Sequence, residues 1–293
     1  MEVIREKSFV IRALLIVFMI VFSSGALYAC KKQGANVVVA GSTSMLPYVE
    51  KLAYEFNSLN PKKSVDVQGG GSSAGIVAAK EGIADFGMSS RSLKDSESDL
   101  WSKRIAKDAL VLIIHPDNPI IKKANNPDFI VNLTSGQIRD IYSGKITNWS
   151  EVGGNSASIH VVTREEGSGT RSAFEELVMT TDKQLTKITS KAIVQNSNGS
   201  VRMLVSDDPN KIGFISLGLV EVEGRKPVKA LSIDNVSATE ENVLSGNYKL
   251  VRSFLFVAKT EPIDTAKDFL DFVLSSEGKK ILSDAGLITF SEE

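Results

Sequence analysis

Blocks of apolar and polar residues along this chain switch repeatedly between a strand-like and a helix-like period. Val37–Ala40 is a short apolar run closed by Gly41, and Met45, Val49, Leu52, Ala53 and Phe56 then recur at the spacing of one helical face. Pro47 falls in the first turn, where proline is tolerated, and Asn60-Pro61 ends the helix. Val65–Gln68 reads as a second strand, followed by a glycine-rich turn, a short helix to about Glu81, and a third strand over Ala84–Met88. Leu93–Lys107 is polar and reads as a helix ahead of the apolar strand Leu110–Ile114. His115-Pro116-Asp117-Asn118-Pro119 then breaks the pattern and marks a crossing between domains. Thr134 and Gln137 have the spacing of a capping box for a helix through Tyr142. A strand through Ile159, Val161 and Val162 leads to a helix ending near Met179, and Ser200–Ser206 is helical between strands at Ile193–Asn196 and Ile212–Ile215. Phe254–Val257 is a last buried strand, and amphipathic helices at Pro262–Leu274 and Gly278–Ala285 close the chain. Alternating strand, loop and helix predict an α/β fold with a parallel sheet and functional loops at the carboxyl ends of its strands.

The loops carry the candidate chemistry. Thr163–Arg171 reads Thr-Arg-Glu-Glu-Gly-Ser-Gly-Thr-Arg between a strand and a helix, and Gly41-Ser42-Thr43-Ser44 and Gly71-Ser72-Ser73 occupy equivalent places. A helix start of this kind leaves backbone N–H groups unpaired and aimed one way, and the helix dipole adds positive potential there. Small hydroxyls and an arginine make such a terminus selective for an anion. Serine caps are common, so one such loop says little. Three in one chain point to convergent anion-binding termini.

Charge and cysteine usage narrow the class. The net charge of −1 offers nothing to nucleic acid or to an acidic polymer. Arg5, Lys7 and Arg12 precede the apolar stretch Ala13–Val21, the layout of an export signal, and Leu27-Tyr28-Ala29-Cys30 resembles a bacterial lipobox with Cys30 as the diacylated mature N-terminus. A secreted protein with a free thiol and an uncleaved anchor helix are the competing readings. Cys30 is the only cysteine, so there is no disulfide framework, and with two histidines, His115 and His160, no thiolate or multi-histidine metal site is expected. No cofactor is expected.

The loops, taken with Asp85-Phe86-Gly87-Met88-Ser89-Ser90-Arg91, Ile141–Trp149 (Ile-Tyr-Ser-Gly-Lys-Ile-Thr-Asn-Trp) and Ile212-Gly213-Phe214-Ile215, make the chain resemble the phosphate-binding proteins of bacterial phosphate ABC transporters, the PstS family. The resemblance covers nearly all of the chain after the leader. It implies a two-lobed type II periplasmic binding protein, with a hinge of crossing strands and the ligand cleft between α/β lobes. Residues 1–29 would be the lipoprotein signal peptide, 30–34 a tether, 35–116 with 248–293 the first lobe, and 117–247 the second. The implied phosphate contacts are Thr43, Ser44, Ser72 and Ser90 from one lobe and Arg164, Ser168, Gly169 and Thr170 from the other. Glu166 would orient Arg164, and Arg91 would stand either at the cleft rim or in a solvated loop. The resemblance further implies a monomeric, non-enzymatic receptor, lipid-anchored outside the cell membrane, which delivers inorganic phosphate to permease subunits driven by a cytoplasmic ATPase. The chain departs from the family at Ser90, where well-studied members carry an aspartate that accepts a proton of phosphate. A serine hydroxyl accepts the same hydrogen bond without repelling unprotonated anions, so selectivity over sulfate should be weaker.

Other classes remain in play at this point. The same fold could bind or sense another oxyanion, such as sulfate or molybdate. Gly71-Ser72-Ser73-Ala74-Gly75 also fits the nucleophile elbow of an esterase, with Ser73 as nucleophile. That chemistry needs a histidine late in the chain, and both histidines come early. Arg171 stands one helical turn before Glu175, which favours an ion pair along the helix. Trp101 and Trp149 are expected to pack within the lobes.

Overall fold

The computed structural model describes residues 36–124 and 131–290. The leader, Cys30 and the rest of the tether lie outside them. Among the described residues, eight strands follow one another across a continuous sheet, in the order β2 (Ser64–Gly69), β1 (Asn36–Gly41), β3 (Phe86–Ser89), β13 (Val251–Ala258), β4 (Trp101–Ile114), β10 (Lys211–Ser216), β6 (His160–Arg164) and β9 (Ile193–Gln195). A short ninth, β11 (Lys229–Ala230), also pairs with β4.

Strands β2, β1 and β3 are mutually parallel at one end, as are β10, β6 and β9 at the other. Antiparallel strands β4 and β13 join the two groups. Along its first part β4 pairs with β13, from Trp101 opposite Ala258 to Ala109 opposite Val251. From Leu110 to Ile114 it pairs with β10 instead. The change of partner thus falls inside one fourteen-residue strand, ahead of the His115–Pro119 break.

Each end of the sheet has its own apolar core. One gathers Val39, Met45, Leu52, Phe86, Phe256 and Phe269 beneath α1 (Leu46–Leu59) and α8 (Asp264–Leu274). The other gathers Leu112, Ile141, Tyr142, Trp149, Phe174 and Phe214, with the Phe174 and Phe214 rings stacked at 4.3 Å. Trp149 is fully buried there, and Trp101 packs against the first core. Thr134 caps α4 (Ser135–Ser143) through the reciprocal bonds expected of it and Gln137.

The expected helix over Leu93–Lys107 is not formed. A short 3₁₀ turn covers Asp95–Glu97, and Trp101 already begins β4. Strand β13 supplies the backbone hydrogen bonds for this stretch, and Ile105 and Ala106 turn into the core. The charged residues that hide the strand cover an aromatic instead: the Arg104 guanidinium lies 4.0 Å from the centre of the Phe290 ring, with Lys107 beside it.

A buried polar network crosses the centre of the sheet. Asp108 and Arg252 face each other on β4 and β13, with Nη2 and Nε at 2.8 and 2.9 Å from Oδ2. Ser216, at the end of β10, donates to Asp108 Oδ1 at 2.6 Å, and Tyr48 of α1 lies 3.2 Å from the same hydroxyl. Burial pushes the Asp108 carboxyl up from its ordinary value, and Arg252, Ser216 and the Leu217 amide oppose that shift. Tyr48, buried beside this carboxylate, is pushed well above the ordinary phenol range.

Candidate functional site

Parallel strands send their carboxyl ends to one side, so the loops after β1, β2 and β3 gather at one edge and those after β6 and β9 face them. Gly71, at φ +90°, turns the chain from β2 into α2 (Ser72–Glu81). This places Ser72 at the first position of the helix, with its side chain fully buried. Ser42, Ser44 and Ser90 join it. Ser44 Oγ is 2.9 Å from Ser42 Oγ, Ser42 donates to Ser90 Oγ at 2.9 Å, and Ser90 Oγ is 3.3 Å from Ser72 Oγ. Ser72 Oγ also accepts from the Ser90 amide at 3.1 Å. Since each hydroxyl has one proton, the Ser42 donation to Ser90 means that Ser44 gives to Ser42, while between Ser90 and Ser72 either hydroxyl can donate.

The opposite half contributes Arg164, which ends β6 and is 1% exposed. Its Nε and Nη2 meet Glu165 Oε2 and Oε1 at 2.9 and 2.8 Å, and the carbonyls of Gln195 and Asn196 accept from the same two nitrogens. Glu165, and not Glu166, therefore orients the arginine. The turn closed by the Ser168 amide onto the Glu165 carbonyl brings Glu165 back over the guanidinium and sends Glu166 into solvent. Ser168 caps α5 (Gly169–Phe174), its Oγ accepting from the Arg171 amide at 3.2 Å, so that its proton is still free to be donated. Arg171 pairs with Glu175 at 2.8 Å and gives Nη1 to the Arg164 carbonyl.

The halves touch at these loops. Gly169 packs so closely that a Cβ there would collide with Ser72 Oγ and come within 2.6 Å of Ser90 Oγ. The Ser73 amide donates to the Gly167 carbonyl at 3.1 Å. Ser44, Ser72, Ser90, Arg164, Ser168 and Thr170 are all buried, and Thr43 is half-buried. The structure thus brings together the residues expected from both halves, apart from Glu166 and Arg91. Arg91 is buried away from the cluster as a staple of its own loop, with Nη1 and Nη2 on Glu97 at 2.8 and 2.9 Å, Nη1 on the Ser92 carbonyl and Nη2 near Ser73 Oγ.

Asn198 is a member of the cluster that sequence reasoning missed. It opens α6 (Asn198–Asp207), whose Ser197 cap accepts from the Ser200 amide, and it is fully buried. With Oδ1 turned toward its neighbours, it accepts from Arg164 Nη1 at 2.9 Å, the Ser44 amide at 3.2 Å and Thr43 Oγ1 at 3.3 Å. The opposite orientation would set its NH2 against two donors, leaving only the Thr43 and Thr170 hydroxyls as acceptors at 3.3 and 3.5 Å. Donor facing donor is unfavourable in a buried site, so the first arrangement holds. The missed signal was a fourth strand–loop–helix passage, Gln195-Asn196-Ser197-Asn198-Gly199-Ser200. Ser42, one residue before the expected Thr43, was missed as well.

The resulting site is rich in donors, with one guanidinium, helix-start amides and a row of hydroxyls. The nearest carboxylate, Glu165, is tied up by the arginine. Such a set suits a small oxyanion.

The PBP superfamily domain matches residues 29–277. The phosphate-binding protein PstS of Borreliella burgdorferi is 30% identical over 285 residues, covering 94% of this chain and 98% of its own length. The chain belongs to the PstS family. Bacillus subtilis PstS is 29% identical over 265 residues, with 89% of this chain and 83% of that protein covered. Among solved structures, a phosphate ABC transporter substrate-binding protein from Clostridium perfringens, with bound phosphate, is 42% identical. It superimposes with a TM-score of 0.78 over 87% of this chain and 100% of its own. An ABC-type phosphate transport receptor from Vibrio cholerae is 37% identical with a TM-score of 0.69, at the same coverage of both chains. The two-lobed type II binding-protein fold expected of the PstS family is the fold of this chain.

Proposed function

We propose that this protein captures inorganic phosphate between its two halves and hands it to the membrane permease of an ABC transporter, without making or breaking a bond. The observation that carries this reading is the single buried cluster in which Ser44, Ser72 and Ser90 meet Arg164, Ser168, Gly169 and Thr170. The names of the relatives and the phosphate bound in the C. perfringens protein support it. Thr43, Ser44, Ser72, Ser90, Arg164, Ser168, Gly169 and Thr170 are the proposed contacts, with Glu165 holding the arginine.

The lobes are proposed to divide at about 35–116 with 248–293, and 117–247; the strand groups on either side of β4 and β13 support two halves, with Leu110–Ile114 of β4 packing into the second. Opening about these strands admits the anion, and closure excludes water and presents a docking surface to the permease. The Leu27–Cys30 motif supports an acylated N-terminus that holds a monomeric receptor at the outer face of the cell membrane. No helix among the described residues is long and apolar enough to cross a membrane.

An esterase reading finds no support at Ser73. Its hydroxyl lies near Arg91, while His115 Nδ1 accepts from the Asp117 amide and His160 lies beside Asp208. A sulfate or molybdate receptor is the second reading, favoured by the uncharged Ser90. Thermal unfolding of the protein with phosphate, sulfate and molybdate in turn tests the choice, because a ligand bound only by the native state raises the melting temperature. Phosphate should give the largest rise at equal concentration. A larger rise with either other anion reassigns the site.

A further inference from the structure

Asn198 is neither charged nor a hydroxyl, yet it lies at the centre of the buried cluster and touches both halves. Its helix follows β9, in the half that carries Arg164, while Thr43 and Ser44 belong to the loop after β1 in the other half. One oxygen, Asn198 Oδ1, takes a guanidinium N–H from its own half and a backbone N–H and a hydroxyl from the other. Nη1 is the arginine nitrogen left over once Glu165 and the two carbonyls have engaged Nε and Nη2. The bond to Ser44 exists only while the halves are together.

We infer that Asn198 is a positioning residue that couples closure of the halves to the setting of Arg164. Closing brings the Ser44 amide onto Oδ1, and the same oxygen fixes Nη1 at the angle at which the second Nη1 proton faces the cleft. This role rests on the phosphate reading above and adds to it the residue that links the moving loop to the charged group. A neutral oxygen suits the task. It joins donors from both halves, and it adds no negative charge beside Arg164 beyond that of Glu165. A carboxylate at the same place would satisfy these donors with a full charge and compete with the anion for them.

The test compares the full chain with Asn198→Ala and Asn198→Asp, using stopped-flow phosphate binding and amide hydrogen exchange at Ser44 without ligand. Asn198→Ser replaces the alanine variant if that one does not fold, with the same expectation. Loss of the clasp should speed phosphate dissociation roughly tenfold, the size of one charge-assisted hydrogen bond, while association changes by less than about twofold. A residue that merely supported the fold would not divide its effect this way. Asn198→Asp should slow Ser44 exchange in the ligand-free protein and weaken phosphate binding. If the parent chain binds no phosphate, the functional reading falls and the clasp with it. If the parent binds and the alanine variant releases phosphate at the parental rate, or Asn198→Asp leaves Ser44 exchange unchanged, the clasp alone is overturned.

Discussion

The Arg164 guanidinium and the Glu165 carboxylate meet side-on, with Nε–Oε2 at 2.9 Å and Nη2–Oε1 at 2.8 Å, although the two residues are neighbours in sequence. The fork spends two of the three guanidinium nitrogens on orientation and leaves the third to Asn198 and the cleft. Arg164→Ala should therefore weaken phosphate binding by about 2–5 kcal/mol, the range for removing one partner of a buried charge pair. Glu165→Gln should cost about 1–2 kcal/mol, because a carboxamide returns only one acceptor to the fork. Glu166→Gln should stay within roughly 0.5 kcal/mol, as an exposed substitution does. Titration calorimetry on the three variants checks the order, and equal effects at Glu165 and Glu166 would remove Glu165 from its assigned role.

Gly169 has a different task, since its lack of a side chain is what allows the halves to meet. A methyl group there would press on the hydroxyls of Ser72 and Ser90. Gly169→Ala should cost about 1–3 kcal/mol of phosphate affinity through overpacking of the closed form. The ligand-free melting temperature should stay near the parental value, because the opened cleft has room for the methyl group. A variant that melts early but binds normally would contradict this.

Ser90 sits in the row of hydroxyls, 2.9 Å from Ser42 Oγ and 3.3 Å from Ser72 Oγ. The row can donate to an unprotonated oxygen, and it can reverse to accept from a protonated one, so it does not reject sulfate by charge. Sulfate in large excess should displace labelled phosphate from the parent protein. Ser90→Asp should abolish that competition while retaining phosphate. Complete failure of sulfate to compete with the parent would mean that another acceptor does the aspartate's work.

At the centre of the sheet, Asp108 and Arg252 are both almost fully buried. Asp108→Asn leaves the guanidinium buried without its counter-charge and should lower unfolding stability by about 3–5 kcal/mol. Urea denaturation measures this. A loss under about 1 kcal/mol would show that the pair is not needed to hold β4 against β13.

Glu97 gives the protein an acid-sensitive contact. Hydrogen bonds from Arg91 lower its carboxyl pKa, desolvation opposes the shift, and the Lys94 amide assists it. A carboxyl lowered on folding adds stability above its unfolded pKa, and that contribution disappears as pH falls through the folded value. The stability profile of Glu97→Gln should be flatter than the parent's over the acidic range and unchanged in shape near neutrality. A slope in the variant equal to the parent's would assign the acid sensitivity to other groups.

Much of this architecture can be read from residues that answer to local rules. The helix at Asp264–Leu274 shows in the spacing of its apolar face, and the cap of α4 shows in Thr134 and Gln137. The anion loops are visible because glycine and serine follow apolar strands directly. Strand Trp101–Ala109 is hidden because its partner lies some 150 residues away in the chain, and its lysines and arginines resemble a solvated helix. Asn198 escaped for a different reason. The strand before it and the helix after it are both legible, but an asparagine between them reads as an ordinary turn residue, and it is neither a hydroxyl nor a cation. The choice between Glu165 and Glu166 depends on the direction of one turn, which residue type alone does not encode.

The position of β13 between β3 and β4 also bears on synthesis. Strands β1–β3 leave the ribosome early, but the partner that completes their sheet is made almost last. Strands β6, β9 and β10, with the part of β4 that they need, are finished well before it. The half that carries Arg164 and Asn198 can therefore assemble during translation, while the half that carries the row of serines must wait, with an unpaired edge at β3, for residues 251–258. Nascent chains stalled before residue 251 should be protected from protease around Trp149 and Phe214 and cut readily around Phe86.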